Sequence, residues 1–240
     1  MKHPFRSHIL PFFTMGAGGL GLVLRFCLFS NMDENKLLPA SHWADTSLYI
    51  LSALTLGVLF LATRELAPRR VNKQFLQICG TCAYLLGGFS LILSAALSLP
   101  VSHAKLGWLA VSASLVGGLA MVFMAALKLA RKRLPYWLPA ILTVVLMLNT
   151  VTQCQVWGAV SQLQVYFFPL LASIFLILSA YHKTIFAAKH TNTRLPAFFS
   201  QGALFFCCLS LNTTQWYMYF GMMLWAVVQI YPCILTKKES

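Results

Sequence analysis

The sequence predicts an all-α fold: a polytopic transmembrane helical bundle of about eight spans, arranged as four hairpins, with both termini in the cytoplasm. Three observations carry that expectation. Charged residues make up only 10% of the 240-residue chain and hydrophobic residues 59%, whereas soluble domains carry about 25% charged residues to coat a water-facing surface. Apolar runs of roughly 18 or more residues recur along the whole length, each able to cross a hydrocarbon core about 30 Å thick as a helix. The basic residues, finally, gather at alternate joints between those runs.

The expected spans are Ile9–Ser30, Thr46–Thr63, Gln74–Leu99, Leu106–Leu129, Tyr136–Gln153, Leu163–Tyr181, Leu195–Leu211 and Trp216–Leu235. Helix is required, because in lipid every backbone N–H and C=O must be satisfied within its own segment or in a closed barrel. The period-2 alternation of a barrel strand is absent. The first run follows Lys2 and Arg6 as a signal peptide would. It is too long for an h-region and no small-x-small site follows it, so it reads as an uncleaved span. No polar stretch is long enough for a separate domain, and residues 1–240 read as a single membrane domain.

Orientation follows from the joints. Lys2 and Arg6 precede the first span; Arg64, Arg69, Arg70 and Lys73 lie in the second loop, and Lys128, Arg131, Lys132 and Arg133 in the fourth. Lys183, Lys189 and Arg194 lie in the sixth, and Lys237 and Lys238 follow the last span, so fifteen of the eighteen basic residues fall on one side. Cytoplasmic loops carry that excess, which places the chain in the cell membrane as a multi-pass protein and assigns the +13 charge to topogenesis instead of nucleic-acid binding. Amphipathic rings prefer the interface, and Trp43, Trp108, Trp157 and Trp216 mark outer span ends, with Tyr136, Trp137, Tyr181 and Tyr231 marking inner ones.

Arg25 is the one charged residue well inside a span. Thr14, Gly18, Gly21 and Arg25 recur at helical spacing and share a face, and small residues on a membrane helix mark where a neighbour approaches. Arg25 is therefore expected to point into the bundle. The favoured reading is a structural pair with an acid of the first outer loop, Asp33, Glu34 or Asp45, with Asp45 also placed to cap the second helix. Snorkelling to the outer headgroups and a ligand-binding arginine are the alternatives. Asn149 and Gln153, one turn apart near the outer face, are the other candidate polar site.

The segment Leu24-Arg25, then Asp33-Glu34-Asn35-Lys36-Leu37-Leu38-Pro39, then Ser41-His42 resembles a group of uncharacterised bacterial multispan membrane proteins. In that group a Leu-Arg span precedes an Asp-x-x-Gly-Leu-Leu-Pro-x-Gly-His block. Lys36 and Ser41 stand where the pattern has glycines, and the likeness covers roughly the first fifth of the chain, with a looser echo at Tyr219-Phe220-Gly221-Met222. It implies a membrane bundle and carries no activity.

Signals for chemistry are few. No carboxylate lies in a span, where coupled carriers commonly place one. The six histidines lie in loops or at span ends, badly placed for a haem held inside the bundle. Cys79-Gly80-Thr81-Cys82 is a lone C-x-x-C in an apolar helix and reads, like Cys207-Cys208, as small-residue packing; a metal or redox site needs further ligands. P-loop, zincin and nucleophile-elbow motifs are absent. No cofactor or metal and no catalytic residue is expected. The chain reads as a non-enzymatic membrane subunit whose partners are the lipid bilayer and other membrane proteins. A facilitator for a neutral or lipophilic solute and a quinone-facing anchor subunit of a redox complex are the alternatives.

Overall fold

A computed structural model describes residues 9–31, 42–64, 73–98, 105–132, 134–157, 166–189 and 194–234. All the secondary structure among them is helical. Eight helices follow in order: α1 Ile9–Ser30, α2 Trp43–Arg64, α3 Lys73–Ser98, α4 Lys105–Leu129, α5 Trp137–Trp157, α6 Phe167–Lys189, α7 Arg194–Leu209 and α8 Trp216–Ile234. Seven are long and apolar enough to cross a membrane. Helix α8 is apolar too, with the amphipathic rings of Trp216, Tyr217, Tyr219 and Trp225 and the amide of Gln229 along it. It packs against α3, α6 and α7.

The element bounds differ from expectation in three places. Helix α2 begins three residues earlier, at Trp43, because His42 supplies a cap: its ring Nδ1 accepts the backbone N–H of Ala44 at 3.2 Å. The capping side chain is thus His42, while Asp45 sits in the first turn, where a negative charge complements the helix dipole. Helix α5 runs four residues past Gln153, and α6 starts four residues later than expected and runs on to Lys189. Polar residues such as Gln155, His182 and Lys183 break an apolar run without breaking a helix, so hydropathy alone misplaces such ends.

Successive helices alternate in direction. The start of α3 meets the end of α4 where Gln77 Nε2 donates to Lys128 O at 2.9 Å. The late part of α5 meets early α4 at Asn149–Ser114, and mid α6 meets early α7 where the Ser179 and Ser200 hydroxyls lie 2.9 Å apart. Helices α3 to α8 form a closed ring in sequence order, α8 returning to α3. The hairpin of α1 and α2 lies outside that ring against α7. Arg64, Lys128, Arg131, Lys132, Lys183 and Arg194 stand at one end of the bundle, the basic end, with Trp43, Trp108 and Trp216 toward the other.

Two interactions set the packing. Helices α3 and α4 cross at Gly88 and Gly118, where a Cβ on either glycine would lie 2.8 Å from the other's carbonyl oxygen; only glycine permits that backbone approach. Ala83, Gly87, Ser90 and Ser94, at helical spacing along α3, are all buried. The ring is filled by side chains: Leu91, Met121, Met124, Leu142, Leu176, Met222 and Trp225 belong to one core and are inaccessible. Cys82, read as a packing residue, instead faces outward.

Helix α4 ends in a Schellman motif, in which Lys132 N donates to Leu127 O at 3.0 Å and Arg131 N to Lys128 O at 3.1 Å. The motif needs a left-handed residue, and Arg131 takes that position with φ 54°. A side chain pays about 1 kcal/mol there that glycine does not. Arg131→Gly is therefore expected to raise stability by about 1 kcal/mol in thermal unfolding of the detergent-solubilised protein; a lower melting temperature would contradict the motif.

Candidate functional site

Helix α7 is the most enclosed element. Its 16 α-helical residues rise about 24 Å at 1.5 Å each, and the turn that follows completes a run, Arg194–Asn212, long enough to cross a membrane. The carbonyls of its last α-helical turn stand on buried residues, Phe206 to Leu209, where water is not at hand and an unanswered acceptor is costly. The chain answers them one by one. A 3-10 turn, Ser210–Asn212, tightens the end; Ser210 Oγ donates to Phe206 O at 2.8 Å and Thr213 Oγ1 to Ser210 O at 2.7 Å.

The carbonyl of Leu209 is taken by Arg25, whose Nη1 donates to it at 2.6 Å. Arg25 is only 2% exposed. Its guanidinium also lies 5.4 Å from the Phe29 ring and 5.7 Å from the Phe168 ring, where the negative faces of aromatic rings attract a cation. A positive charge at a helix C-terminus complements the dipole as well. Arg25 thus joins α1, α6 and α7 at one point.

Helix α1 reaches that point because its small-residue face lies on α7. A Cβ on Gly18 would meet Cys208 Cβ at 2.7 Å, and one on Gly21 would meet Leu209 Cδ2 at 3.0 Å. Nearer the basic end, Thr14 Oγ1 donates to Gln201 Oε1 at 2.8 Å. Snorkelling does not describe this arginine, which turns inward. Of the three acids read as its partners, Asp33 and Glu34 lie outside the described residues.

The buried Tyr219 stands between Gln153 and Arg25: its hydroxyl donates to Gln153 Oε1 at 3.5 Å and lies within electrostatic reach of the guanidinium. Asn149 is buried and pairs with α4: Ser114 Oγ accepts its Nδ2 at 2.9 Å and lies 3.1 Å from its Oδ1. Gln153 reaches the joint between α7 and α8, its Nε2 donating to Gln215 Oε1 at 2.6 Å. These polar groups fasten α5 to its neighbours.

The fold gathers a second polar cluster that sequence reading missed. Lys128 of α4 and Lys183 of α6 were assigned to basic loops, yet both ammonium groups reach the ring of Tyr84 on α3, at 5.2 and 5.4 Å from its centroid. Lys183 donates to Gln229 Oε1 on α8, and Gln229 Nε2 donates to the Tyr84 hydroxyl at 3.2 Å. The signal available was Tyr84, an aromatic hydroxyl inside an apolar span, but it names no partner by itself. Among the described residues no group of three or more His, Cys, Asp or Glu stands together to hold a metal. A groove of about 530 Å³ opens toward lipid between α4 and α5, lined by Leu109, Val116, Ile141, Val144 and other apolar residues with Ser112 as its one hydroxyl. Its chemistry suits a hydrocarbon tail.

Arg25→Leu removes the donor from a buried carbonyl and is expected to cost about 1.5–3 kcal/mol. Arg25→Lys, which keeps a charge and a donor, should cost less. Thermal unfolding of the three proteins in one detergent checks this, and an Arg25→Leu protein as stable as wild type would contradict it.

The chain matches no family model, no curated protein and no solved structure.

Proposed function

We propose that the chain is a non-enzymatic subunit of the cell membrane that binds other membrane proteins through the outer faces of α1 and α2. The observation that carries this reading is the position of three glycines. Gly16 and Gly19 on α1 and Gly57 on α2 are exposed, and a Cβ at any of them would meet nothing within 4 Å. Glycine in a helix costs roughly 0.5–1 kcal/mol relative to alanine, and within this chain that cost is not offset at these positions by close packing, as it is at Gly18 and Gly21. Small residues on membrane helices are the places where another helix approaches. Helices α1 and α2 are also the least buried of the membrane-crossing helices.

Termini in the cytoplasm and the basic end at the cytoplasmic leaflet belong to the same proposal. Arg64, Lys128, Arg131, Lys132, Lys183 and Arg194 share that end, and the positive-inside rule favours the cytoplasm for it. The filled ring weighs against a facilitator, since inaccessible Leu91, Met121, Leu142, Leu176 and Trp225 occupy mid-depth. A quinone-facing anchor would need polar groups to hold a quinone head, and the lining of the α4–α5 groove is apolar apart from the Ser112 hydroxyl and the Trp137 indole.

Gentle solubilisation of the tagged chain from its native membrane should yield a complex with a stoichiometric membrane partner. Gly16→Leu with Gly19→Leu should release that partner without lowering the melting temperature. A monodisperse lone monomer, or a double variant that keeps its partner, contradicts the proposal. Orientation has its own check: Cys154 is exposed near the end opposite the basic one, so an impermeant maleimide should label it on intact cells. Labelling only after lysis would reverse the orientation.

A further inference from the structure

The Lys128–Lys183 cluster follows from helix directions. Side chains on a helix lean toward its N-terminus. Helices α4, α6 and α8 run toward the basic end, so Lys128, Lys183 and Gln229, near their C-terminal ends, lean back into the bundle. Helix α3 runs the other way, and Tyr84 leans to meet them. A lysine near a span end usually turns outward to the headgroups; these two turn inward. Gly80 on α3 makes room, since a Cβ there would collide with Lys128 Nζ.

The charge and donor balance of this cluster is unequal. Two ammonium groups that share one tyrosine ring stand within roughly 10 Å of each other, about one Debye length, and repel. Among the described residues the one carboxylate is Asp45, in the first turn of α2 at the opposite end. Among the described residues Lys128 and Lys183 bring more donors than the cluster has acceptors. The Gln229 carbonyl oxygen is taken by Lys183 and the Tyr84 oxygen by Gln229. One turn along α8, Trp225 packs edge-on against Tyr84 at 6.4 Å, and its buried indole N–H has no partner.

We propose that Lys128 and Lys183, with Tyr84 and Trp225 behind them, bind a phosphate group between α3, α4, α6 and α8. Two ammonium groups match the charge of a phosphate, which carries several acceptor oxygens for the surplus donors. Basic pockets between membrane helices near one membrane face take lipid headgroups in this manner. A free phosphate offers the same chemistry. This site is independent of the α1–α2 partner surface.

Melting of the full chain in a neutral detergent tests the site, with no addition, with phosphatidylglycerol, or with inorganic phosphate. At least one phosphate source should raise the melting temperature. A response to the lipid alone assigns a headgroup, and a response to inorganic phosphate assigns a soluble ligand. Lys128→Gln and Lys183→Gln should each raise the half-saturating concentration by about tenfold or more, while Lys132→Gln, exposed at the same end, should keep the wild-type response. If either lysine variant fails to fold, Gly80→Val displaces the Lys128 ammonium from the facing wall and should weaken the response alike. No response to either source, or an equal loss in Lys132→Gln, overturns the proposal.

Discussion

Inside hydrocarbon a peptide group has no water to fall back on, and the form of this bundle depends on how that demand is met at the end of α7. A helix whose last turn is buried leaves carbonyls with no water to answer them. The chain closes them with a 3-10 turn, two hydroxyls and one guanidinium. Because the guanidinium belongs to α1, the closure also ties the outer hairpin to the ring. The charge that is expensive in lipid is thereby placed where its donors are needed.

Close backbone approach is the second condition. Without a hydrophobic drive between helices, association in lipid rests on packing and interhelical hydrogen bonds. Gly88 against Gly118 brings α3 and α4 together, and Gly18 and Gly21 bring α1 onto α7. Polar pairs then fix register: Thr14 with Gln201, Asn149 with Ser114, Gln153 with Gln215. Each joins two segments far apart in sequence, so a shift of one residue would break several at once.

Much of the fold was legible because hydropathy and helical spacing are local properties. The bounds of α1 coincide with the expected span, and the Thr14-Gly18-Gly21-Arg25 face lies on a neighbour as its spacing implied. The identity of that neighbour was not legible. The carbonyl of α7 that Arg25 meets is a backbone atom 184 residues away, and backbone atoms leave no mark in a sequence pattern. Lys128 and Lys183 were hidden for a related reason. Position in the chain places a lysine at a span end; whether it leans outward or inward depends on helix direction and on what stands opposite. His42 was passed over as the cap because Asp45 fitted the usual composition of a helix start.

Amide hydrogen exchange across residues 205–213 in lipid nanodiscs tests the closure of α7 most directly. An end sealed by Arg25 predicts that these amides exchange as slowly as those at the middle of the helix, and that Arg25→Leu speeds them selectively. Rapid exchange in the wild-type chain, at the rate of an open loop, would contradict it.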